Sequence, residues 1–273
     1  MGKIIRRIIM ILLLIVFLGS VGMVGWIMHQ YNEIDQLYDA AVAQYTGGAG
    51  ETTPPPASVS ADPEVSAESV RQLEIAPITV DFAALQAVNP EVVGWIYCEG
   101  TGLNYPVLQS SDDDYYLHRS YDGSYNFSGS IFVEAENRPG FADSNTIIYG
   151  HNMKNDSMFA CLDDWADQAF YEAHPIIWLL TPQRDYKIQL VSGYTTSAYS
   201  ETYVIFSEPG EEFGAYLRHA VEQSDFRAEA ELDEQGRYVL LSTCAYVFDN
   251  ARYVLHGQLL PADSAGGIPA AGE

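Results

Sequence analysis

Tyr238-Val239-Leu240-Leu241-Ser242-Thr243-Cys244 is the stretch on which the fold turns. Four apolar residues lead into two hydroxyl side chains and a thiol, and a polar loop through Asp249-Asn250 follows. A short apolar run bounded by turn residues reads as a sheet strand, with its last residue at the rim. Seven further runs have the same character: Val92–Tyr97, Tyr105–Gln109, Ser130–Glu134, Thr146–Tyr149, Ile176–Leu180, Tyr186–Tyr194 and Tyr253–Leu260. Two segments instead follow a helical period. Met158, Cys161, Leu162 and Trp165 form one stripe, and Phe213, Tyr216, Leu217, Ala220 and Val221 form another. A weaker helical pattern covers Asp81–Val88. Eight short strands with few helices predict a mainly β chain closed into a barrel, since closure removes unpaired edges.

Outward from this region the composition changes. Ile8–Met28 is 21 residues without a charge, and as a helix it would rise ~32 Å, enough to cross a bilayer core. Lys3, Arg6 and Arg7 precede it, so the positive-inside rule predicts a cytoplasmic N-terminus with the remainder outside. The run is long for a signal peptide and lacks an Ala-x-Ala site, which favours an uncleaved anchor. Tyr31, Ile34, Tyr38, Ala41, Val42 and Tyr45 then recur at helical spacing, as in a short stalk helix. Gly47 to Ala67, with Pro54-Pro55-Pro56 at its centre, reads as a linker, and Pro261–Glu273 as a disordered tail. The expected organisation is an anchor over 1–28, stalk and linker over 29–71, a folded domain over 72–260 and a tail over 261–273.

The 273-residue chain carries 13 Lys and Arg against 37 Asp and Glu, a formal net charge of −24. With the three N-terminal bases set aside, ten bases face all 37 acids. Such a surface repels polyanions, which excludes nucleic acid as a main partner. Cys98, Cys161 and Cys244 form no metal-binding spacing and no disulfide framework. No metal or other cofactor is expected.

Three chemically complementary side chains fall at strand ends. Cys244 closes the opening stretch. His151 follows Thr146-Ile147-Ile148-Tyr149-Gly150, and Arg252 opens the last strand. A thiol needs a basic or cationic neighbour to react as thiolate, and a fixed cation suits a developing oxyanion. His118, His174, His219 and His256 read as structural or solvated, Cys161 as part of a core stripe and Cys98 as an inert strand-end thiol. Asp112-Asp113-Asp114 fits no calcium loop and reads as a solvated turn. Glu208, Glu211 and Glu212 suit the start of the following helix.

Leu241-Ser242-Thr243-Cys244 followed by Arg252, together with Tyr149-Gly150-His151-Asn152-Met153, resembles the signature of sortases. Asn89–Ile96, Gly100–Gln109 and Ser157-Met158-Phe159, with the helix-bearing segment before the cysteine strand, are similar to the class B subgroup. The resemblance spans about residues 72–260. It implies an eight-stranded sortase barrel with an N-terminal helical subdomain and a helix in the loop before the cysteine strand. It also implies a cysteine transpeptidase of Gram-positive cell surfaces. Cys244 would be the nucleophile, His151 the proton carrier and Arg252 the oxyanion ligand. Asn104, Leu108, Tyr149, Tyr203 and Ser242 would line the substrate groove. The implied partners are surface proteins bearing a sorting signal, with a peptidoglycan-precursor or pilin amine as acceptor. The position after the cysteine is often acidic in class B, whereas here it is Ala245.

Two rival readings make different demands. Papain-like peptidases place Cys before His, whereas His151 here precedes Cys244 by 93 positions. Cell-wall L,D-transpeptidases keep His, Cys and Arg much closer together. A non-catalytic surface-binding barrel would require no reactive thiol.

Overall fold

The computed structural model describes residues 2–48 and 75–262. It divides after Ala40 into an N-terminal unit and a larger unit beginning at Ala41. Helix α1 runs without a break from Gly2 to Tyr45. Anchor and stalk, expected as separate segments, are therefore one helix, because nothing between Met28 and Tyr31 interrupts the backbone ladder. It is apolar and long enough to cross a membrane. Gly47 and Gly48, expected as linker, lie in strand β1 (Thr46–Gly48), which pairs antiparallel with β2 (Ile78–Val80). The linker prolines and residues 263–273 of the expected tail lie outside the described residues.

Helix α2 (Phe82–Val88) follows β2. Its start is set by Asp81, whose carboxylate accepts the Ala84 amide at 3.0 Å, satisfying one of the orphan donors of a first turn. The barrel comprises β3 (Val92–Tyr97), β4 (Asn104–Gln109), β5 (Ile131–Val133), β6 (Asn145–Tyr149), β7 (Ile176–Leu180), β8 (Asp185–Ser197), β9 (Tyr238–Cys244) and β10 (Ala251–Ala262). Their order around the closed sheet is β10-β8-β7-β3-β4-β5-β6-β9. β4 pairs parallel with β5 and β6 parallel with β9; the other neighbours are antiparallel. Trp95, Ile131, Leu179, Ile188, Leu240 and Leu255 are among the side chains fully or almost fully buried in this framework. Burial of each Leu- or Ile-sized side chain contributes roughly 1.5–3 kcal/mol.

Two helices lie in the connections. Helix α3 (Gln168–Ala173) is capped by Asp167, which accepts the Ala169 and Phe170 amides. Helix α4 (Glu211–Glu222) sits between β8 and β9 with Glu211 and Glu212 in its first turn. Its Phe213 and Leu217 pack with Val191 and Tyr238, while Ala220 joins Ile147, Tyr194, Leu240 and Val254. The stripe expected as a helix around Cys161 is a 3₁₀ segment, Ala160–Ala166. Met158 stands outside it at φ 59°, a left-handed conformation that a helix cannot accommodate.

His256 on β10 is buried, with its Nε2 2.9 Å from the Tyr216 hydroxyl. Burial lowers its pKa from 6.5 to about 3. Folding therefore favours the neutral ring. The resulting stability is complete above pH 6.5 and is lost as pH falls through 6.5 towards 3, at up to about 1.4 kcal/mol per pH unit for one proton. Urea midpoints should fall between pH 7 and pH 5, and His256→Gln should flatten that dependence. An unchanged slope in the variant would remove His256 from the account.

Candidate active site

The register of three strands brings the candidate residues to one end of the barrel. β6 and β9 run parallel with Tyr149 opposite Ser242. His151 and Cys244 each lie two residues further on, so both leave the sheet at the same rim. β10 returns antiparallel and sets Arg252 opposite Cys244. Opposed residues of an antiparallel pair point to the same face. His151, Cys244 and Arg252 accordingly line one cleft of about 420 Å³, together with Tyr149, Tyr203 and Ser242.

Local contacts fix the two rim loops against each other. A Cβ at Gly150 would stand 2.5 Å from Ile131 Cδ1 and 2.7 Å from the Phe159 ring, so only glycine fits before His151. The Gly150 amide donates to Ser242 O at 3.1 Å, and Thr243 Oγ1 donates to Gly150 O at 2.9 Å. Asn152 Nδ2 donates to the Cys244 carbonyl at 2.8 Å, and the Tyr246 hydroxyl donates to Asn152 O at 3.1 Å. The residue after the histidine thus grips the cysteine, and a residue after the cysteine grips back.

His151 Nε2 lies 2.9 Å from the Leu117 carbonyl. A carbonyl only accepts, so Nε2 carries hydrogen and Nδ1 is the unprotonated nitrogen of the neutral ring. Burial holds the His151 pKa below the usual value. The Leu117 carbonyl opposes this shift, while His118 and the Arg252 guanidinium reinforce it. The His118 ring is stacked beside it at 6.3 Å. Arg252 Nη1 donates to the Ala251 carbonyl at 3.0 Å, which orients the guanidinium.

The aromatic wall is also tied down. Tyr203 and Ser242 share a hydroxyl–hydroxyl hydrogen bond of 2.8 Å, and the Tyr149 and Tyr203 rings stack at 6.4 Å. The Tyr149 hydroxyl donates to Glu134 Oε2 at 2.8 Å. Burial and the neighbouring Asp113 carboxyl raise the Glu134 pKa. Asp113, expected only as part of a solvated turn, also lines the cleft and accepts the Ala135 amide at 2.8 Å. Asp112 does behave as a turn residue, accepting the amides of Asp114 and Tyr115.

Two expected groove residues are not on the lining surface. Leu108 is 0 % exposed, although its register partner Phe132 lines the cleft, and Asn104 uses its amide oxygen to accept the Trp95 indole N–H at 2.7 Å. Neither contributes to the cleft lining. The other two thiols do not line the cleft. Burial pushes Cys98 up to about 11 and Cys161 up to about 12, which keeps them as thiols at neutral pH.

The chain matches the Sortase domain family over residues 96–260. It is 32% identical to sortase B of Listeria monocytogenes over 249 residues, 90% of this chain and 92% of that protein. The chain belongs to the class B sortases. Its fold is similar to the structure of sortase B from Bacillus anthracis, with a TM-score of 0.67, 31% identity, and coverage of 86% of this chain and 99% of the other. It is also similar to a Staphylococcus aureus sortase B–substrate complex, with a TM-score of 0.63, 29% identity, and coverage of 71% and 90%. Class B sortases are cysteine transpeptidases, and the mainly β barrel with its N-terminal helix and its helix before the cysteine strand agrees with the expected architecture.

Asn152 was not among the sequence candidates, because its partner lies 92 positions away. Removing its amide leaves the Cys244 carbonyl short of a donor. Asn152→Ala is expected to lower kcat about tenfold, ~1.4 kcal/mol, with KM within about twofold. Asn152→Asp should be worse than alanine, since a carboxylate cannot donate to that carbonyl. Steady-state kinetics check both, and a loss confined to KM would count against the positioning role.

Proposed function

We propose that this sortase cleaves a C-terminal sorting signal after threonine through a thioester on Cys244 and transfers the acyl group to a cell-wall or pilin amine. The observation that carries this reading is the convergence of Cys244, His151 and Arg252 on one cleft beside a tyrosine-rich wall. The thiolate of Cys244 attacks the threonine carbonyl. The resulting oxyanion is met by Arg252, whose planar guanidinium can donate two parallel hydrogen bonds. His151, in its imidazolium form, gives a proton from Nδ1 to the departing amine, and collapse leaves the thioester. The acceptor amine then attacks the thioester, His151 takes its proton, and a second collapse frees the thiolate. One amide is exchanged for another, so acyl energy is kept without a nucleotide.

The same reading places the protein in the cell membrane. Ile8–Met28 is a single-pass anchor, the N-terminus is cytoplasmic, and the barrel is extracellular, where signal-bearing surface proteins and the acceptor meet it. The hydropathy of α1 and the bases at its N-terminal end support this topology. Protease added to intact cells should digest the barrel while the mature chain keeps its N-terminal residues. A mature N-terminus near Gly25 would make the segment a cleaved signal instead.

The activity is tested with a panel of threonine-containing pentapeptides offered with a diamino-acid stem peptide or a lysine-bearing pilin peptide. The expected product carries a new amide at the threonine carbonyl. Cleavage at another residue, or hydrolysis that no amine diverts, would overturn the reading.

A further inference from the structure

Behind the wall that carries Tyr203 lies a second cavity, of about 610 Å³ against about 420 Å³ for the cleft. Segment 198–206 is the partition between them. Ala198 and Tyr203 line the cleft, whereas Ser200, Glu201, Thr202 and Val204 line the second cavity. Its far side is α4, through Glu212, Tyr216 and His219, and Tyr194 of β8 also faces it.

The lining defines a ligand chemistry. It holds no Lys or Arg, and neither Glu201 nor Glu212 forms an ion pair among the described residues. Two carboxylates without a cation repel phosphates and acids and favour an ammonium. Thr195, Thr196 and Gln223 add polar groups to the lining, while Ser200 Oγ, which has no hydrogen-bond partner, is closed off beneath it. Tyr194, Phe206 and Tyr216 supply apolar ring surface. The volume lies in the range of small-molecule sites.

The cavity is also connected to the cleft. Thr202 Oγ1 lies 3.1 Å from the Tyr194 hydroxyl, and Thr202 O accepts the Tyr216 hydroxyl at 3.0 Å. Tyr216 has one proton to give, so His256 Nε2, 2.9 Å away, donates to the Tyr216 oxygen. Tyr194 and Tyr216 thus face the cavity and hold Thr202, and the next residue is Tyr203, bound to Ser242 in the cleft. We infer that this cavity binds a primary-amine ligand of peptide or amino-sugar size, and that its occupancy retunes the donor cleft through Thr202 and Tyr203. The binding half stands without the catalytic reading, and the coupling half rests on it.

The test uses the full-length chain in detergent micelles with alanyl-lysine as probe and its Nε-acetyl analogue as control. Calorimetry is run on enzyme whose Cys244 is blocked by a methanethiosulfonate reagent, so the cleft is closed to the probe. Alanyl-lysine should bind at least tenfold more tightly than the acetylated control, and Glu201→Gln with Glu212→Gln should weaken it at least tenfold. Absence of binding to the blocked enzyme, or affinity untouched by the double substitution, overturns the site. Coupling is read on unblocked enzyme as a change of at least threefold in donor-peptide KM when the probe is present. Tyr216→Phe, which keeps the ring but not the hydroxyl, should keep probe binding and lose that change. A wild-type KM indifferent to saturating probe overturns the coupling. An enzyme that binds the probe yet turns over no donor overturns the catalytic reading and leaves the site standing.

Discussion

Cys244→Ala is expected to reduce cleavage of a sorting-signal peptide to background, a loss on the order of 10⁴-fold or more for a covalent nucleophile. Nothing else in the cleft offers a comparable nucleophile, since Ser242 is 2 % exposed and bonded to Tyr203. Cys98→Ala and Cys161→Ala serve as internal controls. Both thiols are raised in pKa by burial, so turnover should be nearly intact, with some stability lost at both packed sites. The check is the rate of each variant with one donor peptide, accompanied by a thermal scan. A Cys244→Ala enzyme with near-normal turnover would remove the sortase chemistry altogether.

Arg252→Ala carries the second largest expected effect. Both halves of the proposed reaction develop negative charge on the former carbonyl oxygen, and loss of one oxyanion donor typically costs roughly 10²–10³ in rate. The loss should fall mainly on kcat. Arg252→Lys should recover only part of it, because an ammonium keeps the charge but not the planar pair of donors. Lysine would also lose the geometry by which Arg252 braces against the Ala251 carbonyl. The pH–rate profile of the parent enzyme should be a bell whose limbs belong to the Cys244–His151 pair jointly. Since burial depresses the His151 pKa, the imidazolium share shrinks as pH rises, and the active protonation state is a minority form at neutral pH. An Arg252→Lys enzyme as fast as the parent would show that charge alone suffices.

Much of this architecture is legible in the sequence because its strands are apolar and β-branched enough to declare themselves. Val92–Tyr97 and Ile176–Leu180 have the same bounds in the structure as in the sequence reading. β8 and β10 run longer than their apolar stretches because they pair with each other, carrying Thr195, Thr196 and Ser197 into the sheet opposite Tyr253, Arg252 and Ala251. There tertiary pairing overrides local propensity. The stripe around Cys161 misled for a different reason. Its spacing is helical, but Met158 is held at positive φ beside a bridge to Asn152, a constraint that no local pattern reveals.

The site divides along the same line. Cys244, His151 and Arg252 stand at strand ends, where a reader of sequence can find them. The contacts that orient them come from distant segments: the Leu117 carbonyl on His151, Asn152 on Cys244, and Glu134 on Tyr149. Leu108 and Asn104 illustrate the converse. A resemblance carried them into the groove, while in the structure Leu108 is fully buried beside the cleft-lining Phe132 and Asn104 is engaged by the Trp95 indole.

The central claim is that the acyl group passes through a thioester on Cys244. The most direct measurement is intact-protein and peptide mass spectrometry of the full-length enzyme quenched in acid during turnover of a threonine-containing signal peptide. The account predicts an adduct equal in mass to the signal up to and including threonine, located on Cys244, released by hydroxylamine and absent from Cys244→Ala. An adduct on Cys98 or Cys161, or sustained turnover with no hydroxylamine-sensitive adduct at any time, would contradict it.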